Sequence, residues 1–421
     1  MSLLLGCIAD DFTGATDLCN TLVRRGMRTI QLIDAPPADL PVPEADAITI
    51  ALKSRTCPPE EAVRLSLQSL EWLRRAGARQ FLFKYCSTFD STEKGNIGPV
   101  ADALLDALGS DFTIACPAFP ETGRTIYMGH LFVGESLLSD THMRHHPLTP
   151  MTDSNLVRVL ARQTPHKTGL VSCPTVAAGA DAVRRRFAQL RREGVRHAVP
   201  DAVEDAHLET LGEACADLKL ITGGSGIALG LPANFRRQGL LADATGADAL
   251  PAVEGLEAVL AGSCSAATLG QIEEMARQRP AFRLDPTRLA EGGGAAEALA
   301  WARERLADGP PLIYASAPPE EVKAVQARLG REAAGELVER AMAEIARGLV
   351  EAGVRRLVVA GGETSGAVVQ ALGVKGLRIG PQIDPGVPAT VSIGERPLAL
   401  ALKSGNFGAR DFFLKAFEVM P

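Results

Sequence analysis

Several features are missing from this sequence of 421 residues. Its eight cysteines form no C-x-x-C pair and no tight cluster, which favours reduced thiols in the cytosol. No apolar run reaches the roughly 18 residues that a membrane-spanning helix needs. The apolar opening Ser2–Ala9 has no basic start and stops at Asp10, so we do not expect a signal peptide. These absences predict a cytoplasmic protein without a membrane partner.

Positive charge is not in excess either. Lys and Arg total 44 against 50 Asp and Glu, which gives a net charge of −6 at pH 7. A nucleic acid or an anionic membrane is therefore not expected as a partner. Because the chain as a whole does not attract anions, any anionic ligand has to meet local positive charge. The 46% apolar and 22% charged residues are typical of a soluble globular enzyme.

The order of apolar and helical patterns predicts an α/β fold with two α/β domains and mainly parallel sheets. We also expect an active-site cleft between the domains. The Pro- and Gly-broken stretch Leu231–Gly255 predicts a linker, and we place the boundary between domains 1–245 and 246–421. The amphipathic helix Gly14–Arg25 follows the first predicted strand. The predicted strands are Leu3–Ala9, Ala47–Leu52, Phe81–Tyr85, Thr113–Cys116, Gly169–Cys173, Leu218–Thr222, Ala258–Ala261, Phe282–Leu284, Leu312–Ala315, Arg356–Ala360 and Leu398–Leu402.

Polar residues follow several of these strands, in particular Asp10-Asp11, Lys53–Thr56, Lys84–Thr88 and Thr222–Ser225. Ligands of open parallel sheets bind outside the carboxyl ends of the strands, so we expect these residues to converge on one cleft. An aspartate pair at such a place can accept a hydroxyl proton or hold Mg²⁺ through water, but it fits a solvated turn or a helix cap equally well.

Three basic residues at these strand ends, Lys53, Arg55 and Lys84, can bind a carboxylate, Arg in bidentate fashion. Each of them alone is more typical of an exposed surface charge. The histidines His142, His145 and His146 have no Cys or carboxylate in register, and a surface loop is the favoured interpretation of that segment. Gly223–Gly226 fits either a hinge or a ligand loop.

The sharpest local signal is the glycine-rich turn Gly361–Gly366, which lies between a predicted strand and the predicted helix Ala367–Leu372. Backbone N–H groups in such a turn can approach phosphate oxygens, and a helix start favours an anion. We expect a positive φ at Gly362, where a side chain would displace the phosphates. An ordinary turn capped by Thr364 or Ser365 explains the pattern equally well. Neither the P-loop nor the dinucleotide fingerprint is matched.

Two more loops of small residues follow predicted strands of the second domain, Ala261–Ser265 and Lys403–Gly408. Each alone is more typical of a plain turn. Three such loops in one domain would form a pocket able to wrap a nucleotide.

Three longer strings carry a resemblance to a known family: Ala9–Asp17, Lys84–Thr92 and Gly361–Gly366. On these motifs the sequence resembles the four-carbon acid sugar kinase family, and the likeness covers nearly the whole chain. It extends through Asn96–Pro99, Pro147–Asp153, Thr222–Gly226, Gly380–Gly386 and Lys403–Asn406.

The resemblance implies a kinase with an N-terminal acid-sugar domain and a C-terminal nucleotide domain. Threonate, erythronate or 3-oxo-tetronate would be the substrate, and the segments Lys84–Thr92 and Pro147–Asp153 look most like the 3-oxo-tetronate branch. ATP and Mg²⁺ are implied as cofactors, and a small acid sugar as the partner. The sequence is also compatible with a homo-oligomer.

The resemblance places Asp10, Asp11, Arg55 and Lys84 in the family's substrate-side motifs. From the chemistry of these side chains we expect one of Asp10 and Asp11 to orient or deprotonate the 4-hydroxyl, and Arg55 and Lys84 to bind the substrate carboxylate. No protein ligand to a metal is predicted. Two further substrate-side residues are Ser87 and Thr88. The residues that resemble the family's ATP contacts are Ser263, Gly361, Gly362, Glu363, Thr364 and Gly405.

Three rival functions differ in what they require. A threonate or erythronate 4-kinase would show a different preference among the three acids. A nicotinamide dehydrogenase needs a Rossmann fingerprint, which is absent. A non-catalytic acid-sugar sensor would keep the N-terminal cleft without turnover.

Overall fold

The structure is a computed structural model, and it describes residues 3–146, 148–242, 246–317, 327 and 330–421. The chain divides into two compact units, Met1–Ala247 and Asp248–Pro421. The predicted boundary at residue 245 falls in the segment 243–245, which lies outside the described residues. Among the helices that are described, none is both long and apolar enough to cross a membrane.

The first unit is built on a parallel sheet. Its strands are β1 Leu5–Ala9, β2 Thr29–Ile33, β3 Ala47–Ala51, β4 Gln80–Lys84, β5 Thr113–Cys116, β6 Arg124–Tyr127, β7 His130–Val133, β8 Ser136–Leu137, β9 Lys167–Val171, β10 Val195–Pro200 and β11 Leu220–Gly223. The sheet order is β2-β3-β1-β4-β11-β5-β10-β9, with every pairing parallel. The strands β6, β7 and β8 form a separate antiparallel sheet.

Helices cover this parallel sheet. They are α1 Phe12–Arg24, α2 Pro59–Arg75, α3 Ile97–Ala107, α4 Leu156–Ala161, α5 Cys173–Ala177, α6 Ala180–Arg192, α7 Asp205–Ala214 and α8 Leu231–Arg237. All five residues of β1 are buried, as expected for a strand covered on both faces. The apolar stripe Leu18, Cys19 and Leu22 of α1 is buried, and this helix contacts β2 and β3. The hydrophobic pattern therefore fixes which side of α1 packs on the sheet.

The second unit repeats the strand-helix alternation. Its strands are β12 Leu256–Ala261, β13 Ala281–Arg283, β14 Leu312–Tyr314, β15 Val354–Ala360, β16 Gly376–Asp384, β17 Val387–Ser392 and β18 Ala399–Lys403, and its helices are α9 Ala266–Ala276, α10 Pro286–Ala290, α11 Ala295–Arg303, α12 Arg331–Glu351, α13 Gly362–Ala371 and α14 Phe412–Val419. The strands β13-β14-β12-β15-β18 are parallel in that order, and β17 and β16 continue the sheet in antiparallel pairings.

The predicted α/β class with mainly parallel sheets is confirmed. All predicted strands are present, with ends shifted by a few residues. The linker prediction for Leu231–Gly255 is wrong in its first part, because Leu231–Arg237 is a helix that buries Phe235. Proline in the first turn of a helix costs no hydrogen bond, so Pro232 did not signal a break there.

Candidate functional site

The main chain joins the carboxyl ends of three adjacent strands, β3, β1 and β4. The N–H of Asp10 donates to the carbonyl of Lys84 at 3.0 Å, and the N–H groups of Ser54 and Arg55 donate to the carbonyl of Asp10 at 3.0 and 3.1 Å. These bonds continue the parallel pairing beyond the strands and hold the polar residues that follow them. The predicted convergence of Asp10, Asp11, Arg55 and Lys84 is what the structure shows.

Arg55 forms ion pairs with the aspartates of this cluster. Its Nε lies 3.0 Å from Asp10 Oδ2, and its Nη2 lies 2.8 Å from Asp10 Oδ1 and 2.6 Å from Asp11 Oδ1. Its Nη1 lies 3.8 Å from Asp90 Oδ2. The bidentate face that was predicted for a substrate carboxylate is therefore turned to Asp10.

The two neighbouring aspartates have opposite pKa shifts. Burial raises the pKa of Asp10, although Arg55 opposes this. Burial also acts to raise the pKa of Asp11, but Arg55, Lys84, the Thr13 hydroxyl and the N–H of Gly14 outweigh it and lower the pKa to about 2. Thr13 Oγ1 donates to Asp11 Oδ2 at 3.0 Å. Asp11 is thus ionised near neutral pH and is a weak proton acceptor.

Lys84 is a buried cation with few partners. Its side chain is 5% exposed, and its Nζ lies 3.9 Å from Asp11 Oδ1. In the described part of the chain no hydrogen bond to this Nζ is seen. A Cβ on residue 14 would lie 2.2 Å from the Nζ, so the ammonium occupies space that only Gly14 leaves open. A buried ammonium with unused donors is costly unless an anion completes its shell, and the site therefore fits an anionic ligand.

The loop after β4 holds Asp90 near Arg55. Thr88 Oγ1 donates to Asp90 Oδ1 at 2.6 Å, and the Cys86 Sγ lies 3.0 Å from the same hydroxyl. Phe89 and Asp90 have φ angles of 66° and 41°, which side chains rarely adopt. Thr88 is therefore engaged in shaping the loop. Ser87 is half-buried, and its hydroxyl makes no hydrogen bond to any described residue.

Asp17 was not singled out from the sequence. Its carboxylate accepts a 2.6 Å hydrogen bond from Ser225 Oγ, and burial raises its pKa while Lys84 opposes the shift. The sequence did carry one signal for Asp17. Thr13 and Asp17 are four residues apart, which places them on the same face of a helix. The bond also joins the segment Gly223–Gly226 to α1 through Ser225.

In the second unit, three glycine loops meet at the carboxyl ends of the adjacent strands β12, β15 and β18. The N–H of Gly262 donates to Ala360 O at 2.9 Å, and the N–H of Gly361 donates to Lys403 O at 2.9 Å. A Cβ on Gly262 would lie 2.2 Å from Thr364 Oγ1, and one on Gly405 would lie 2.4 Å from Ser263 Oγ. Glycine at these two positions therefore allows the loops to pack closely against one another.

The start of α13 differs from the prediction in one respect. The positive φ is at Gly361, with a value of 126°, whereas Gly362 is the first helical residue. No side chain caps this helix, so the ordinary turn capped by Thr364 or Ser365 is not what forms. The first N–H groups of a helix have no partner within it, and a helix start of this kind is a favourable place for an anion. Glu363 lies in this first turn.

The histidine segment carries local hydrogen bonds. His146 Nδ1 lies 2.8 Å from Thr149 Oγ1, while His142 and His145 are in a short 3-10 turn. Pro147, which belongs to the resemblance segment Pro147–Asp153, lies outside the described residues. Over the described ranges, no group of three or more His, Cys, Asp and Glu side chains is arranged to hold a metal.

Two family models match the chain. The model of a sugar-binding N-terminal domain matches residues 5–231, and that of a nucleotide-binding C-terminal domain matches residues 258–413. They cover the two strand-end sites described above.

Curated relatives match over nearly their whole length. The 3-oxo-tetronate kinase of Cupriavidus necator is 64% identical over 421 residues, covering 99% of this chain and 96% of the relative. The 3-oxo-tetronate kinase of Methylobacterium radiotolerans is 53% identical, with 100% of each chain covered.

Two solved structures are also similar to this chain over nearly its whole length. A crystal structure from Salmonella typhimurium LT2 has a TM-score of 0.91 and 42% identity, with 99% of both chains covered. One from Haemophilus influenzae has a TM-score of 0.83 and 46% identity, covering 98% of this chain and 99% of the other. On the two domain models and these full-length relatives, the chain belongs to the four-carbon acid sugar kinase family.

Proposed function

We propose that this chain transfers the γ-phosphoryl group of ATP to the 4-hydroxyl of 3-oxo-tetronate, giving 3-oxo-tetronate 4-phosphate and ADP. The substrate follows from the relatives, since proteins 64% and 63% identical to this chain are named 3-oxo-tetronate kinases. The structural observation that carries the proposal is Lys84, a buried ammonium with Asp11 at 3.9 Å and unused hydrogen-bond donors. An acid sugar supplies the carboxylate that such a group requires.

The acceptor is held by the first unit. Lys84 binds the substrate carboxylate. Arg55 supports this site by holding the aspartates around it, because its Nη2 lies 2.6 Å from Asp11 Oδ1 and its Nη1 lies 3.8 Å from Asp90 Oδ2. Ser87 is half-buried, and its hydroxyl binds the sugar directly. Thr88 acts indirectly, because its hydroxyl donates a 2.6 Å hydrogen bond to Asp90 Oδ1.

Asp11 orients the 4-hydroxyl for attack. Its pKa of about 2 makes it a poor base, but an ionised carboxylate still accepts a hydrogen bond from the hydroxyl and points the oxygen. Phosphoryl transfer passes through a loose transition state in which positioning and charge neutralisation do most of the catalysis. Asp10, whose carboxylate oxygens both accept from Arg55, fixes the guanidinium and through it Asp11.

The nucleotide is held by the second unit. The first turn of α13, at Gly362, Glu363 and Thr364, presents the helix start to the phosphate oxygens and binds them there. Gly361 and Gly405 keep the loops close together, and Ser263 completes the rim of the phosphate site, because a Cβ on Gly405 would lie 2.4 Å from its Oγ. Backbone N–H groups and small hydroxyl side chains are groups that phosphate sites use.

Mg²⁺ is proposed with ATP, and no side chain is assigned to it. Loops that present backbone amides and hydroxyl oxygens suit an ion that keeps several waters and is bound largely through substrate phosphates. When bound, the ion neutralises charge on the phosphate oxygens. We place the reaction in the cytoplasm, which agrees with eight free cysteines.

The test is ADP release by the purified protein with ATP, Mg²⁺ and each of 3-oxo-tetronate, threonate and erythronate. We expect 3-oxo-tetronate to give the highest kcat/KM and a chelator to abolish the reaction. A higher kcat/KM on threonate or erythronate would move the assignment to a 4-kinase of that acid. Acid binding without ADP release above background would leave the sensor as the function.

A further inference from the structure

Lys403 is a fully buried lysine at the end of β18. Its Nζ donates to Thr268 Oγ1 at 2.8 Å and to the carbonyl of Gly405 at 3.0 Å, and its side chain is 0% exposed. Fully buried lysines are rare unless a partner or a ligand balances their charge. The position therefore calls for an explanation beyond packing.

The hydrogen bonds around Lys403 fix the Gly405 loop. The carbonyl of Gly405 also accepts from Ser265 Oγ at 2.6 Å and from Thr268 Oγ1 at 3.0 Å. Ser265 in turn caps α9 by accepting from the N–H of Thr268. One carbonyl oxygen thus ties the Gly405 loop to β18 and to the start of α9.

No acidic side chain in the described part of the chain balances the charge of Lys403. No carboxylate among the described residues lies within ion-pair distance of its Nζ. Burial lowers its pKa from 10.5 to about 7. Titratable side chains on the surrounding elements include Glu363 on α13, Arg355 and Arg356 on β15, Glu273 and Glu274 on α9, Cys264 before α9, and Arg378 and Asp384 on β16. Of the acidic groups, Asp384 pairs with Lys415, and Glu273 and Glu274 pair with Arg410.

We infer that Lys403 is the buried cation that balances the charge of the nucleotide phosphates and that, through Thr268 and Gly405, holds the third glycine loop in its binding shape. The inference rests on the proposed function, because it takes ATP as the ligand of this site. Lys403 is a positioning residue, and its effect reaches the nucleotide through the loop and through its charge.

The inference has a consequence for pH. With a pKa of about 7, Lys403 of the free protein loses its proton as the pH rises above neutrality. Bound phosphates favour the ammonium, so nucleotide binding takes up a proton in this range. Affinity for ATP therefore falls as pH rises above about 7, by up to about tenfold per pH unit. Phosphate protonation adds little there, since the second pKa of a phosphate monoester is about 6.

The experiment is calorimetric titration of the full chain with ATP and Mg²⁺ at about pH 8. Two buffers of different ionisation enthalpy report the number of protons taken up. The variants are Lys403→Met, Lys403→Arg and, as a matched control, the exposed Lys375→Met. We expect proton uptake in the wild type and in Lys375→Met, and none in either Lys403 variant, because the guanidinium does not titrate at this pH.

The ATP affinities of the two Lys403 variants distinguish the effect of the charge from the effect of packing. Lys403→Met is expected to bind ATP about 10- to 100-fold more weakly, as the loss of a charge-assisted interaction predicts, and Lys403→Arg to bind more tightly than Lys403→Met. The KM for the acid sugar should not change. If the wild type binds ATP without proton uptake, or if Lys403→Met binds as tightly as wild type, the inference is wrong. Failure of the wild type to bind ATP would instead overturn the proposed function.

Discussion

A single nitrogen of Arg55 joins Asp10 and Asp11: its Nη2 lies 2.8 Å from Asp10 Oδ1 and 2.6 Å from Asp11 Oδ1. The side chain of Asp10 is 8% exposed and that of Asp11 is 26% exposed. Adjacent aspartates of the same motif thus have different surroundings. Both carboxylate oxygens of Asp10 are bonded to Arg55, and Asp11 is the more exposed of the two aspartates.

Asp11→Asn is expected to lower kcat by about 10²-fold or more, because the amide no longer directs the hydroxyl with a full negative charge. ATP affinity, measured by calorimetry without acid sugar, should stay within about twofold, since the nucleotide loops are in the other unit. The control is Asp181→Asn, which changes a side chain that is 81% exposed. This variant should have the kcat and the ATP affinity of the wild type. Unchanged turnover in Asp11→Asn would remove this residue from the mechanism.

Lys84→Met is expected to raise the KM for the acid sugar by about 10- to 100-fold, because a hydrogen bond between charged groups contributes about 1.5–3 kcal/mol. KM for ATP should change little. The matched control is Lys219→Met, which removes an exposed lysine just before β11. Steady-state kinetics with each substrate varied in turn decide the question, and an equal rise in both KM values would contradict carboxylate binding by Lys84.

Asn96→Ala tests how Arg55 is positioned. The Asn96 Nδ2 donates to the carbonyls of Ser54, Arg55 and Cys57 at 2.7, 3.2 and 3.0 Å, so it clamps the loop that carries Arg55. Leaving these carbonyls without a donor is expected to cost about 1–3 kcal/mol of unfolding free energy and to lower kcat.

Its matched control is Asn234→Ala, which removes another buried amide, bonded to Gly212 O at 2.8 Å. Both variants should lose stability in thermal melts, and only Asn96→Ala should lose turnover per folded molecule. Equal kcat in the two variants would show that the clamp has no role in the reaction.

Gly361→Ala is expected to weaken ATP binding by about tenfold or more, because a non-glycine residue at a φ of 126° carries roughly 1–3 kcal/mol of strain. Its Cβ would also lie 2.9 Å from Thr364 Oγ1. Gly335→Ala on α12 is the control, since the nearest atom to its Cβ is 4.0 Å away. Melting shifts with ATP and with acid sugar, each alone, should show loss of the ATP response only. If ATP raises the melting temperature of Gly361→Ala as much as that of the wild type, this loop is an ordinary turn and does not bind phosphate.

The convergence of Asp10, Asp11, Arg55 and Lys84 could be predicted because parallel strands place their carboxyl ends at one edge. The pairing of Arg55 with Asp10 could not, because it depends on β3 and β4 flanking β1, and chain order does not give this sheet order. The strand β2 was missed since Thr29 and Gln31 interrupt its apolar pattern. Both are buried, and Gln31 Oε1 accepts from Thr16 Oγ1 at 2.9 Å.

The loops of the second unit are joined by contacts that are long-range in sequence. Ser265 Oγ reaches the carbonyl of Gly405 across 140 residues, whereas Arg55 reaches Asp10 across 45. Domains tend to fold from the N-terminus while the chain is being synthesised. The charged cluster of the first unit is thus complete in sequence once Asp90 has been made. The three glycine loops of the second unit cannot assemble until β18 has been made. A growing chain therefore carries the proposed acid-sugar residues long before the proposed nucleotide loops are complete.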